Sequence, residues 1–491
     1  MAVRHGGRAR RLLTDTALLA GSQVIVRLAS VVAFLALTRS IEPNTYGLYQ
    51  LALLVANSWA VLTNFSLRVP LVQSLAREPE RAGELVGQVL ALRLSFSILS
   101  LLGGAAWGLW TFHTARERIL FGLLLWAAVQ STVAATFDDT LQGREWFKAS
   151  AWCGLLQGLT VSFGTLLGVA VGRPLAFAVG SQVVASVLFA VSTWLIARRA
   201  TGEPLRRLIW SRALASAMCK LAVGVAVAGW IGAWYGCVDM LAVQRMVRLG
   251  WAPAALGHYS VASNGFGLAV TAVLAVQAAL TPMLARAVAA GEEALRPRLE
   301  TVLRFGLLAF APLAVLVSGL APLLIALLKP EYGAAAGPLA VLIWLAPVVF
   351  CSACVHWVLY MSGRVWPVAL CMAAGLATNW IGCRLFVPHG GLAAAGACRL
   401  AAELVILLLS ARLMARVVRL DWRGVLRKPL LMAAAMGAIW WLTPGSRPLV
   451  ALLSVAVYAV AWRVAGPLDA RESELLRSMR RHEDDETALA S

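Results

Sequence analysis

The chain has 491 residues, 60% of them hydrophobic and only 14% charged, where a soluble protein carries about a quarter. Its mean hydropathy of +0.77 and charge-free runs such as 43–67, 149–172 and 174–197 exclude a soluble enzyme, a disordered chain and a disulfide scaffold. They also exclude an outer-membrane barrel, whose strands are about ten residues of alternating polarity.

Roughly 20 apolar residues cross a bilayer as helix. That length predicts an all-α polytopic membrane protein with about fourteen spans, at 15–37, 45–67, 85–110, 119–138, 149–171, 174–197, 217–239, 256–281, 304–328, 335–361, 365–386, 391–412, 430–444 and 449–465. The first follows Arg4, Arg8, Arg10 and Arg11, as a signal peptide would. However, Arg27 interrupts its apolar run and no small-x-small site follows, so an uncleaved first span is expected. Alternate loops hold very different numbers of Lys and Arg. One face carries 31 of the 43, the other 9, and Arg27, Arg93 and Arg399 lie within helices. This asymmetry predicts that both termini are cytoplasmic. It also accounts for the net charge of +19 without a nucleic-acid partner.

The connection 201–216 sets Leu205, Leu208 and Ile209 among Arg206, Arg207 and Arg212, as a basic amphipathic helix against anionic membrane lipid would. The tail 467–491 mixes acidic and basic residues and is expected to be solvated. Cys351 and Cys354 form a CxxC inside an apolar run, with no second pair to complete a metal site. Packing is the expected role of the eight cysteines. No Walker P-loop is present, and no cofactor or metal is predicted.

Two stretches repeat at an offset of 210: IEPNTYGLYQLA (41–52) and WAPAALGHYSVA (251–262) share Pro, Gly, Tyr and Ala in register. Leu75-Ala76-Arg77 and Leu284-Ala285-Arg286 follow one helix later in each copy. Six spans separate the copies, so the halves are expected to share one orientation about an axis along the membrane normal. The predicted organisation is an N-lobe over 1–200, a linker over 201–216, a C-lobe over 217–412, a linker and added helix pair over 413–466, and the tail. Two lobes of this kind point to transport through a central cavity by rocking.

A charge at the bilayer centre costs about 2.5–3.5 kcal/mol on insertion scales, so intramembrane charges mark cavities or pairs. The candidates are Arg27, Arg93, Asp239, Arg399 and Glu403, with Asn57, Asn64 and Asn264 as polar positions. Arg27 is either a cavity cation or a structural arginine bonded to carbonyls, and Arg93 either a cavity cation or a snorkelling side chain. Asp239 is either a proton carrier or half of a salt bridge, to Arg245 or Arg27. Arg399 and Glu403, four apart, either pair with each other or line the cavity. Trp59, Trp230, Trp234 and Tyr259 could stack on a ligand or belong to the interface belt, and Asp138 and Asp139 are either a gate contact to a cytoplasmic arginine or, in preference, a solvated helix end.

TRSIEPNTYGLYQLA (38–52) resembles the opening hairpin of polysaccharide-export flippases, which share a superfamily with multidrug MATE exporters and the lipid II flippase. It departs from their usual pattern at Ile41-Glu42, where Leu-Gly is common. YGCVDMLAVQRMV (235–247), with Asp239 at the acidic position, resembles their seventh helix; LTPMLAR (280–286) and KPEYGAAAGPLAVL (329–342) resemble later segments. The resemblance implies a flippase for undecaprenyl-diphosphate-linked oligosaccharides in the bacterial inner membrane, working beside a polysaccharide polymerase and export machinery. On that reading Arg27 and Arg93 would hold the diphosphate or an acidic sugar, since arginine stays charged and binds phosphate in a bidentate way. An ion-coupled exporter of small organic molecules is the alternative. A polymerising enzyme is disfavoured because no external loop is large enough for a catalytic domain.

Overall fold

The computed structural model of the chain describes residues 3–202, 210–443 and 446–465, with side chains from residue 21 onward except at 441, 461, 464 and 465. The expected amphipathic stretch around Leu205–Ile209 and the tail 467–491 lie outside the described residues. Among the described residues there are helices and no strands: α1 (Val3–Ser40), α2 (Pro43–Asn64), α3 (Arg68–Arg77), α4 (Ala82–Thr111), α5 (Ala115–Gly143), α6 (Phe147–Ala170), α7 (Pro174–Thr201), α8 (Arg212–Tyr235), α9 (Val238–Arg248), α10 (Ala254–Ala289), α11 (Glu292–Leu328), α12 (Ala336–Leu342), α13 (Leu345–Met361), α14 (Val365–Met414), α15 (Trp422–Leu442) and α16 (Arg447–Ala465).

The punctuation of these helices follows local chemistry. Pro43 and Pro174 sit in the first turns of α2 and α7, where a missing N–H costs nothing. Thr114 and Glu117 close a capping box at the start of α5. Phe65 and Ser66 turn the chain through left-handed conformations, φ +43° and +50°, and Phe65 stacks on Phe96 with centroids 4.4 Å apart. That turn sets Arg68 as the first residue of α3.

Ten helices among the described residues are long and apolar enough to cross a membrane, or eleven if the bent pair α12–α13 is one span. The 50 residues of α14 would run ~75 Å at 1.5 Å per residue, more than twice the ~30 Å hydrocarbon core. Gly391, at φ +68° and ψ −157°, breaks it in a backbone region that only glycine enters readily, so α14 supplies two spans. Together with α15 and the shorter apolar α16, the expected figure of about fourteen spans is approached. The expected seventh span is itself interrupted, because α8 ends at Tyr235 and α9 starts at Val238.

The chain divides into two compact units, up to Cys237 and from Val238. In the first, α1 packs on α6, α5 and α6 pack on α7, and α2 packs on α4, α5 and α8. Leu67, Leu71, Leu75, Val86, Leu141 and Met218 form part of its buried core. In the second, α14 packs on α9, α12 and α13, while α11 packs on α13 and α15. Cys351 and Cys354 are buried in that unit's core beside Phe350 and Val355, as small hydrophobes. Large side chains left exposed, such as Leu102, Trp110, Phe163 and Leu370, suit hydrocarbon and not water.

Close helix approach depends on small residues at defined points. A Cβ at Gly306 of α11 would collide with the ring of Phe350 on α13. Gly306→Leu is therefore expected to destabilise the second unit by about 1–3 kcal/mol, the usual cost of overpacking. Thermal unfolding of the detergent-solubilised protein would register this as a lower midpoint, and an unchanged midpoint would contradict the packing.

Candidate functional site: a polar cavity in the first unit

A cavity of about 490 Å³ lies inside the first unit, lined by α2, α4, α5, α6, α7 and the start of α3. Its wall includes Asn57, Asn64, Arg68, Arg93, Ser131, Thr132, Asp138, Asp139, Gln157 and Gln182. The volume falls in the ~300–1,000 Å³ range of small-ligand sites.

Arg93 anchors the wall. It projects from the interior of α4 and has no exposed surface. One guanidinium nitrogen donates to Thr136 Oγ1 at 3.0 Å; another donates to Asp139 Oδ2 at 2.8 Å and to Asn64 Oδ1 at 3.2 Å. Thr136 and Asp139 are three apart on α5 and so share a face. Asn64 is the last residue of α2. One buried cation thus ties three helices together. Asp139 also faces Arg68 Nε at 3.6 Å. Arg68 donates to Gln142 Oε1 at 2.6 Å, and Gln142 donates to Asp138 Oδ2 at 2.8 Å. In the same wall Gln157 donates to Ser131 Oγ at 3.2 Å. Two wall atoms, Arg93 Nε and Asp138 Oδ1, are buried without a hydrogen-bond partner.

The second unit contains its own buried pair. Asp239, in the first turn of α9 and 1% exposed, accepts from Arg399 of α14 at 3.0 Å and from the hydroxyl of Tyr259 of α10 at 2.5 Å. The Arg399 guanidinium lies 5.4 Å from the centroid of the Phe266 ring.

Several expected residues are brought together here. Asn57, Asn64 and Arg93 share the cavity. Arg93 is fully enclosed, because a carboxylate and two further acceptors meet it inside the bundle. Asp239 is paired, with Arg399 as its partner in place of Arg245 or Arg27. Glu403 lies buried one turn beyond Arg399, and Asn264 is half-buried on α10. Arg27 is exposed on α1 and does not line the cavity. Trp59, Trp107, Trp230 and Trp234 pack edge to face, with Trp59 and Trp234 5.7 Å apart between ring centroids. Sequence reading missed Asp139 as the partner of Arg93, and it missed Arg68, Gln157 and Gln182. The available signal was the depth of the Asp138-Asp139 pair, which matches that of Arg93 on the preceding helix.

The sequence profile of the family described as "polysaccharide biosynthesis protein" matches residues 12–288, more than half of the chain. The protein belongs to that family. Its fold is similar to that of the lipid II flippase MurJ in an inward closed conformation, with a TM-score of 0.64 at 15% identity over 90% of this chain and 99% of that one. It is similar also to an inward-facing multidrug resistance MATE transporter, with a TM-score of 0.64 at 13% identity over 79% of this chain and 94% of the other. A Vibrio cholerae MATE transporter matches with a TM-score of 0.58 at 16% identity, over 83% and 97% of the two chains. Among curated proteins none matches by sequence. The chain is thus a member of the polysaccharide-biosynthesis family with the fold shared by the lipid II flippase and MATE transporters, and its apolar helices are those of a multi-pass membrane protein.

Removing one partner of a buried ion pair costs about 3–5 kcal/mol, because the other charge is left unpaired. Arg93→Met alone, and Asp139→Leu alone, are each expected to lower the unfolding midpoint strongly. The double variant is expected to recover most of the loss. Additive losses in the double variant would mean that the two groups do not neutralise each other.

Proposed function

We propose that the protein moves undecaprenyl-diphosphate-linked oligosaccharide repeat units across the bacterial inner membrane by alternating access, with both termini in the cytoplasm. The observation that carries this reading is a polar, amide-lined cavity among apolar helices of a polysaccharide-biosynthesis family member. A glycan is rich in hydroxyls and needs hydrogen-bonding groups at membrane depth, where bare lipid offers none. The lipid tail needs no such path.

Arg27, an exposed cation in the apolar α1, is assigned to the diphosphate. Arg93 acts through Asp139 and Asn64, which it holds in place, and does not itself touch cargo. The Asp239–Arg399–Tyr259 cluster joins α9, α14 and α10. A proton delivered to Asp239 would remove the charge that holds Arg399, so coupling to a proton gradient is assigned there. Surrounding lipids, a polymerase and export machinery are the expected partners. The rival reading is an ion-coupled exporter of small organic molecules, supported by the equal TM-score of a multidrug transporter. The greater share of this chain matched by the lipid flippase, 90% against 79%, favours the flippase.

The test is reconstitution in proteoliposomes with a fluorescent undecaprenyl-diphosphate oligosaccharide. Protein-dependent appearance of the label on the opposite leaflet is expected. Arg27→Ala is expected to slow it about tenfold or more, since a hydrogen bond to a charged group contributes about 1.5–3 kcal/mol. Absence of flipping, together with gradient-driven efflux of an organic cation, would establish the rival reading.

A further inference from the structure

The charges of the cavity are spent on one another. Its four ionisable wall groups are two arginines and two aspartates, which balance. Arg93 has no exposed surface and is engaged by Asp139, Asn64 and Thr136. Arg68 is engaged by Asp139 and Gln142 and, with its side chain 59% exposed, stands at the rim. What the interior offers is uncharged: the amides of Asn57, Asn64, Gln157 and Gln182 and the hydroxyls of Ser131 and Thr132. Asn57 is exposed and makes no hydrogen bond to a described residue, so its donor and acceptor are both available. Asn64 gives its oxygen to Arg93 and keeps its amide hydrogens free for a ligand.

A carboxylate entering this space would meet no unpaired cation. It would also add a negative charge beside the carboxyl groups of Asp138 and Asp139 in the same wall, and like charges at short range repel where the dielectric constant is low. A hydroxyl or an acetamido group both donates and accepts, and amide-lined walls satisfy either role. We infer that the sugar segment taken into this cavity is neutral, a hexose or N-acetylhexosamine, and that acidic sugars are selected against. This rests on the flippase reading above and narrows its substrate class.

The experiment compares two undecaprenyl-diphosphate glycans of equal length in the same proteoliposomes, one ending in an N-acetylhexosamine and the other in a uronic acid. The neutral glycan is expected to flip at least about tenfold faster. Asn57→Lys, which adds a cation to an exposed wall position, is expected to narrow the ratio by raising the rate of the acidic glycan. Equal rates in the wild-type protein, or a faster acidic glycan, would overturn the inference and leave the flippase reading standing. A tenfold preference that Asn57→Lys leaves unchanged in folded protein would place the discrimination outside this cavity and so overturn the assignment. Movement of neither glycan would overturn the flippase reading and this inference with it.

Discussion

A guanidinium with no exposed surface, inside a bundle built of leucine, valine and alanine, is tolerable only beside an anion and enough acceptors to satisfy its hydrogens. Arg93 meets both conditions, and much of the first unit follows from how it does so. Asp139 must lie at the matching depth on α5, so α4 and α5 are held in register as an antiparallel pair. Asn64 must end α2 at the same level, so the chain turns sharply at Phe65 and Ser66 and delivers Arg68 to the rim. The groups that complete the charge balance therefore also define the mouth of the cavity. Gln157 of α6 and Gln182 of α7 complete its polar lining. The cavity is in this sense a by-product of neutralising one buried charge, and its uncharged interior is the consequence.

The second unit solves the same problem with different residues. Asp239 and Arg399 are 160 positions apart, yet each is the other's charge partner, and Tyr259 adds a neutral donor. Both units thus join distant helices through one aspartate–arginine pair. Such pairs add little net stability compared with apolar packing. What they add is geometry, because a charge pair made in one arrangement of helices is costly to leave broken in another. If the protein alternates between two states as proposed, that cost would keep each state discrete.

Much of the fold was legible in the sequence. Apolar runs of 20 or more residues, separated by arginine-rich loops, give the helices and their approximate number directly. The breaks were less legible. The interruption between Tyr235 and Val238 and the kink at Gly391 leave hydropathy almost unchanged and alter only backbone angles. Among site residues, Arg93, Asp239, Arg399, Asn57 and Asn64 stood out because polar groups in apolar runs are conspicuous. Their partners did not. Asp139 sits at a helix end, where an acid is ordinary, and nothing in its local pattern distinguishes a solvated carboxylate from one facing a buried arginine. Tyr259 belonged to a repeated motif, and its hydrogen bond to Asp239 links positions that no helical periodicity connects. Local composition reports which side chains are out of place in lipid; only the packing reports what they meet.

If the glycan of a lipid-linked cargo occupies the cavity of the first unit, as proposed, a thiol placed in its wall will be shielded by that cargo. Seven of the eight cysteines are buried and Cys219 is partly so, which makes a Cys219→Ser background suitable for labelling a cysteine introduced by Asn57→Cys. Modification of that thiol by a small maleimide, followed with and without undecaprenyl-diphosphate oligosaccharide, tests the claim directly. Slower labelling is expected in the presence of the glycosylated lipid, with no protection by undecaprenyl diphosphate lacking sugar. Equal labelling in all three conditions would contradict it.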